Sequence, residues 1–99
     1  MTDITATELK ERMDRGERLH IIDVREPWEY EEYNIGGKLI PLGDLQGKID
    51  ELDDLHDAEV IVHCKSGARS AAAKAFMEQN GFKNVRNLVG GILAMQALN

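Results

Sequence analysis

The chain has 99 residues, 42% of them hydrophobic and 30% charged, with a formal net charge of −6. That length suits one domain, 1–99, and is too short for two independent cores. The apolar content excludes the signature of disorder, and the acidic balance argues against nucleic-acid binding, which needs a basic field.

In chain order, the first element is a helix. Thr5 can cap it, Glu8 stands where a capping box needs it, Leu9 and Met13 share one face, and Gly16 stops it. "LHIIDV" is a short, nearly continuous apolar run rich in β-branched residues, the pattern of a buried strand. Pro27 suits the first turn of a short helix through "PWEYEEY", in which Trp28 is expected to anchor the helix to the body of the domain. Gly36 and Gly37 end it before "KLIPL", a brief strand closed by Pro41. "LQGKIDEL" reads as a helix weakened by Gly47. "AEVIVHC" is the clearest strand, followed by a helix from about Arg69 to Asn80 with Ala72, Ala75 and Phe76 facing inward and Gly81 at its end. "NVRNLV" is a last strand, Gly90 and Gly91 a turn, and "ILAMQAL" a final helix.

Strands alternate with helices, which calls for an α/β domain with a mainly parallel sheet covered on both faces. Such sheets bind ligands beyond the carboxyl ends of their strands, where Cys64 and the run Asp23-Val24-Arg25 both fall.

Cys64 is the only cysteine, so no internal disulfide forms and no oxidising compartment is needed. The N-terminus lacks the basic-then-apolar pattern of a secretory signal and no apolar run approaches membrane-spanning length. A cytoplasmic location with no membrane partner is expected. A lone cysteine is most often a small buried hydrophobe, but this one stands at a strand-to-helix junction among Lys65, Ser66, Gly67, Ala68, Arg69 and Ser70. A strand that turns directly into a helix leaves the first helical amides unpaired. With Gly67 freeing the backbone, the amides from Lys65 to Ser70 can curl around one point, and that nest, at the positive end of a helix dipole, favours an anion. The thiol pKa is expected to fall from about 8.5 into the range of roughly 3.5–7.5 seen in such settings, with Arg69 and Lys65 adding charge.

Zinc finds no ligand pair at metal spacing among Cys64, His20, His56 and His63, so neither metal nor cofactor is expected. Alternation along the strand turns His63 to the face opposite the cysteine, where it packs or hydrogen-bonds within the sheet. "CKSGARS" also lacks the Gly-Lys-Ser/Thr ending of a nucleotide-binding P-loop. Two chemistries use a cysteine in an anion cradle closed by arginine: phosphate monoester hydrolysis and sulfur transfer through a persulfide. Cysteine phosphatases place one residue more between the two than the four that separate Cys64 from Arg69. The shorter loop makes a tighter nest, suited to a single outer sulfur, and no acid is singled out to protonate a leaving group.

"IIDVREPWEYE", "NIGGKLIPL", "VIVHCKSGARS" and "NLVGGILAM", in this order over nearly the whole chain, resemble the rhodanese family. The resemblance implies a five-stranded, mainly parallel sheet flanked by helices. It also implies a sulfurtransferase in which Cys64 takes the outer sulfur of a small anionic donor such as thiosulfate and passes it to a thiol, cyanide or a protein cysteine. The loop amides would hold the persulfide, Lys65 and Arg69 would attract the donor, and Asp23 and Arg25 would brace the loop or its neighbouring strand. Two positions depart from the pattern: Asn34-Ile35-Gly36-Gly37-Lys38 replaces the common His-Ile-x-Gly-Ala, implying a changed turn, and Met95 replaces a tryptophan. A non-catalytic binding module, a protein-to-protein persulfide carrier and a cysteine phosphatase are the rival readings. The first usually lacks the cysteine, and the second shares every residue with the leading reading.

Overall fold

A computed structural model describes residues 2–98. The elements run α1 (Ala6–Asp14), β1 (His20–Asp23), α2 (Pro27–Glu32), β2 (Lys38–Leu39), α3 (Leu42–Lys48), a 3₁₀ stretch (Ile49–Leu55), β3 (Glu59–His63), α4 (Ala68–Gln79), β4 (Asn84–Asn87) and α5 (Gly91–Gln96). All strand pairs are parallel, in the order β2-β1-β3-β4.

Alternation along the central strands divides the core in two. Ile22, Val60, Val62 and Val85 face Leu45, Leu52, Ala73 and Met77, on the side of α3 and α4. Ile61 faces Ile4, Leu9, Leu88 and Met95, on the side of α1 and α5. Val60, Ile61 and Val62 are each 0% exposed, and burying each such side chain contributes about 1.5–3 kcal/mol relative to leaving it in water. The strand that ends at the cysteine is therefore the most firmly seated.

The parallel sheet covered by helices on both faces agrees with the sequence reading, with four strands among the described residues instead of five. The fifth place shrinks to one parallel bridge, Ile4 to Leu88. Thr5 already serves as the N-cap of α1, so the chain leaves the sheet after a single residue. Half of the capping box forms: the Glu8 amide donates to Thr5 Oγ1 at 3.1 Å, while the Glu8 carboxylate turns away to Arg86 at 3.0 Å. "KLIPL" keeps two strand residues, and the helix expected over "LQGKIDEL" starts at Leu42 and tightens into the 3₁₀ stretch after Lys48.

In α4 the inward face is Ser70, Ala73 and Met77; Phe76 is half-buried, and Ala72 and Ala75 are exposed. A run of alanines carries no polar contrast from which to read a helical phase. Trp28 also departs from its expected role, being 61% exposed. Polar bonds hold α2 instead, among them Tyr30 Oη donating to the Gly37 carbonyl at 2.8 Å. Asn34 closes the end of that helix: its Nδ2 donates to the Tyr30 carbonyl at 3.0 Å and its Oδ1 accepts from the Gly36 amide at 2.9 Å. No described helix is long and apolar enough to cross a membrane.

Candidate active site around Cys64

Strand register sets the site. Asp23 pairs with His63 across β1 and β3, and the Val24 amide donates to the His63 carbonyl at 3.0 Å. Both strands therefore end level, and Cys64 follows at once. Four residues later α4 begins, with Gly67 at φ +117° as its N-cap, a left-handed conformation that glycine adopts without penalty. The loop is short enough to turn its amides inward. Cys64 Sγ receives the Gly67 amide at 3.1 Å, the Ser70 amide at 3.4 Å and stands 3.4 Å from Ser70 Oγ. Burial pushes the thiol up, but the Ser70 hydroxyl and the amides of Ser70, Gly67 and Ser66 outweigh it and leave Cys64 more acidic than an ordinary cysteine. Cys64 is 1% exposed, at the floor of the loop, while Lys65, Ser66 and Ala68 are exposed at its rim.

The carbonyls of this loop are occupied from outside. The Ile92 amide donates to the Cys64 carbonyl at 2.9 Å and the Leu93 amide to the Lys65 carbonyl at 3.1 Å. These donors belong to the first turn of α5, which lacks intrahelical partners for them. With the carbonyls drawn toward α5, the loop amides are left facing the sulfur. Gly91 makes the approach feasible: a Cβ there would lie 2.5 Å from the carbonyl oxygens of both Cys64 and Lys65.

Arg69 is committed to a partner other than the sulfur. Its guanidinium grips Glu29 of α2 at 2.7 and 3.0 Å. This ion pair holds the Glu29 carboxyl down at about 2 despite burial, so much of the charge expected to reach Cys64 is compensated. Arg69 is itself pushed further into its charged form, by Glu29 first and by the Cys64 thiolate to a smaller degree.

Asp23 and Arg25 form a buried bidentate pair, with Arg25 Nη2 at 2.8 Å from Asp23 Oδ2. Arg25 also donates to the Tyr33 carbonyl at 2.7 Å. The pair thus ties the end of β1 to the end of α2, the helix that carries Glu29, and leaves the sulfur untouched. His63 is fully buried on the α5 side, 3.7 Å from Asp23 Oδ2, with neither ring nitrogen hydrogen-bonded. Burial lowers its pKa and keeps it neutral.

Two residues absent from the sequence reading complete the site. Glu29 was hidden in the acidic run "EPWEYEE", which reads as a solvated face. Asn87 lies on β4 and accepts from Ser70 Oγ at 2.6 Å while donating to the Gly67 carbonyl at 3.1 Å. A signal for Asn87 existed. It stands two residues after the buried Val85, on the same face of the strand, where a polar side chain needs a partner.

A cleft of about 130 Å³ opens beside the loop between Trp28, Glu32, Lys65 and Leu93. A larger cavity of about 380 Å³ lies toward the other end of β1, lined by His20, Lys38 and Leu52 among others, away from the thiol. Among the described residues no group of three or more His, Cys, Asp or Glu side chains is arranged to hold a metal ion.

The model of the rhodanese-like domain family matches residues 5–98. Two proteins of Bacillus subtilis (strain 168) are similar in sequence. "Putative sulfur carrier protein YrkF" is 40% identical over 91 residues, covering 91% of this chain and 48% of YrkF. "Putative sulfurtransferase YtwF" is 37% identical over 95 residues, covering 95% of this chain and 89% of YtwF. The chain thus spans about half the length of the first and most of the second. Among solved structures, a rhodanese-related protein from Thermoplasma volcanium superposes with a TM-score of 0.84 at 31% identity, covering 100% of this chain and 94% of that one.

Proposed function

The chain belongs to the rhodanese-like domain family, and from that premise we propose that it moves a sulfane sulfur from a small anionic donor such as thiosulfate to a thiophilic acceptor through a persulfide on Cys64. The observation that carries this reading is the convergence of two amides and a hydroxyl on Sγ. Donors so placed stabilise negative charge on sulfur before and after it is loaded.

In the first half-reaction the Cys64 thiolate attacks the outer sulfur of thiosulfate. A Cys64 S–S bond forms, the donor S–S bond breaks, and sulfite leaves with the electron pair. In the second, cyanide or a thiolate attacks the outer sulfur and the electron pair returns to Sγ. The exposed Lys65 at the rim is assigned to drawing in the anionic donor, and Asp23 with Arg25 to bracing α2. Arg69 closes the loop through Glu29. Its engagement there, and the short Cys64–Arg69 spacing, support sulfur over phosphate. A protein thiol is an acceptor of the same chemistry, so a role as persulfide carrier uses the same site. We place the reaction in one domain in the cytoplasm, with no cofactor and with neither nucleic acid nor membrane as partner.

The test is intact mass after incubation with thiosulfate, without reductant and then after cyanide. The expected result is a gain of one sulfur atom that cyanide removes and Cys64→Ser abolishes. No adduct from any sulfur donor would leave only a binding module, and aryl phosphate hydrolysis lost in Cys64→Ser would replace sulfur by phosphate chemistry.

A further inference from the structure

The Ser70 hydroxyl has one proton and three acceptors around it. Asn87 Oδ1 stands at 2.6 Å, the Gly67 carbonyl at 3.3 Å and Cys64 Sγ at 3.4 Å. The Asn87 amide is fixed in orientation, because turning it round would set Oδ1 against the Gly67 carbonyl that now receives Nδ2 at 3.1 Å. Its backbone is pinned as well: the Asn87 amide donates to Asp3 Oδ1 at 3.0 Å and its carbonyl accepts from the Ile4 amide at 3.0 Å. By distance, the Ser70 proton goes to Asn87 while Cys64 is a thiol. A lone pair of Ser70 Oγ is then left for the S–H to approach.

Ionisation reverses the demand. A thiolate or persulfide anion is an acceptor only, and Ser70 serves it only by swinging its hydrogen away from Asn87. We propose that Asn87 sets the acidity of Cys64 by competing with its sulfur for the Ser70 proton. No covalent bond changes in this step beyond loss of the thiol proton to solvent; the hydroxyl hydrogen rotates between two acceptors. Asn87 is thus a positioning residue acting through Ser70. This rests on the reading of Cys64 as the reacting thiol.

Few other charges reach the sulfur. Arg69 on α4 is tied to Glu29 on α2, Lys74 one turn beyond Ser70 is paired with Asp3, Lys65 is exposed on the loop, and α5 carries no ionisable side chain. On β4 the one ionisable residue, Arg86, is paired with Glu8 and Glu59 on the opposite side. On β3, His63 is turned to the other face, and at the end of β1 the charges of Asp23 and Arg25 offset each other.

The experiment is the pH dependence of Cys64 alkylation by iodoacetamide, an uncharged reagent, in the folded full-length chain. Midpoints are compared, so differences in access affect only the plateau. Asn87→Ala is expected to lower the midpoint by about half a unit to one unit, the scale of one neutral hydrogen bond, and Ser70→Ala to raise it similarly. The double variant should match Ser70→Ala. Asn87→Asp loses the same bond to Gly67 but keeps an acceptor for Ser70, so its midpoint should lie at or above that of the wild type. The new carboxylate also raises the midpoint by its own charge. Should Asn87→Ala fail to fold, the test is therefore Ser70→Ala on the two backgrounds. It should raise the midpoint less in Asn87→Asp, where Ser70 already serves the carboxylate, than in the wild type. An unchanged or raised midpoint in Asn87→Ala, an undiminished Asn87→Ala shift without Ser70, or an equal rise from Ser70→Ala in the wild type and in Asn87→Asp would overturn the assignment. Alkylation needs no sulfur donor, so a failure here is separate from a failure of sulfur loading.

Discussion

The two ends of β3 handle charge in opposite ways. At its amino end Glu59 lies between two arginines, 2.6 Å from Arg12 and 2.9 Å from Arg86, and Arg86 also reaches Glu8 at 3.0 Å. Guanidiniums and carboxylates are paired there, and the cluster is partly open to water. At its carboxyl end the amides of Gly67 and Ser70 point at one sulfur, with the nearest arginine engaged by Glu29. The first arrangement is complete in the resting protein; the second is complete only when the sulfur is an anion. A strand of five residues thus separates an end closed by ion pairs from an end where amide donors converge on a single sulfur.

The largest effect on this contrast is expected at Gly91. Gly91→Ala places a Cβ 2.5 Å from two loop carbonyls at φ +60°. It should cost about 3 kcal/mol or more in urea unfolding and bring sulfur loading close to that of Cys64→Ser. Gly47→Ala, in α3 with no neighbour within 4 Å, is the control and should be neutral or stabilising by about 0.5–1 kcal/mol. Equal damage from both would mean that the close approach of α5 is unimportant.

Next comes Glu29→Gln, which weakens the tie between α2 and Arg69. A loss of about 1 kcal/mol is expected, with sulfur loading slowed more than stability alone explains. Wild-type loading kinetics in this variant would detach α2 from the site.

Glu59→Gln should have the smallest effect, about 0.5 kcal/mol and largely screened in about 1 M salt, because its network is partly exposed; loading should be untouched. Acid sharpens the comparison. The carboxyls of Glu29 and Glu59 are each held down at about 2, by Arg69 and by Arg12 respectively. Folded-state values below the unfolded value of about 4.3 mean that both contribute fully above that pH and lose their contribution as pH falls toward about 2. Urea unfolding between pH 5 and 2 should therefore decline less steeply in either variant than in the wild type. A parallel decline in all three would contradict it.

The sequence carried the central strands and the cysteine loop more clearly than the polar contacts around them. "AEVIVHC" and "LHIIDV" are apolar runs bounded by turn residues, and they became β3 and β1 because nothing competes with their burial. The loop was legible because Gly67 between a strand and a helix has few other conformational uses. The phase of α4 was hidden by its alanines, and Ser70 turned out to point inward with Ala73 and Met77. Glu29 and Asn87 were missed for a shared reason: each acquires its role from a partner distant in the chain, Arg69 for one and Ser70 for the other. Trp28 failed for the opposite reason, since its size suggested burial in a helix that polar bonds already secure.

That exposed ring has a use of its own. Trp28 is the single tryptophan of the chain, 61% exposed, and it lines the cleft beside the thiol loop with Lys65 and Leu93. Indole emission shifts to shorter wavelength as the ring loses water. The protein thus carries a native optical reporter at the mouth of its site, and a bulky acceptor docking there would announce itself in the fluorescence spectrum without any label.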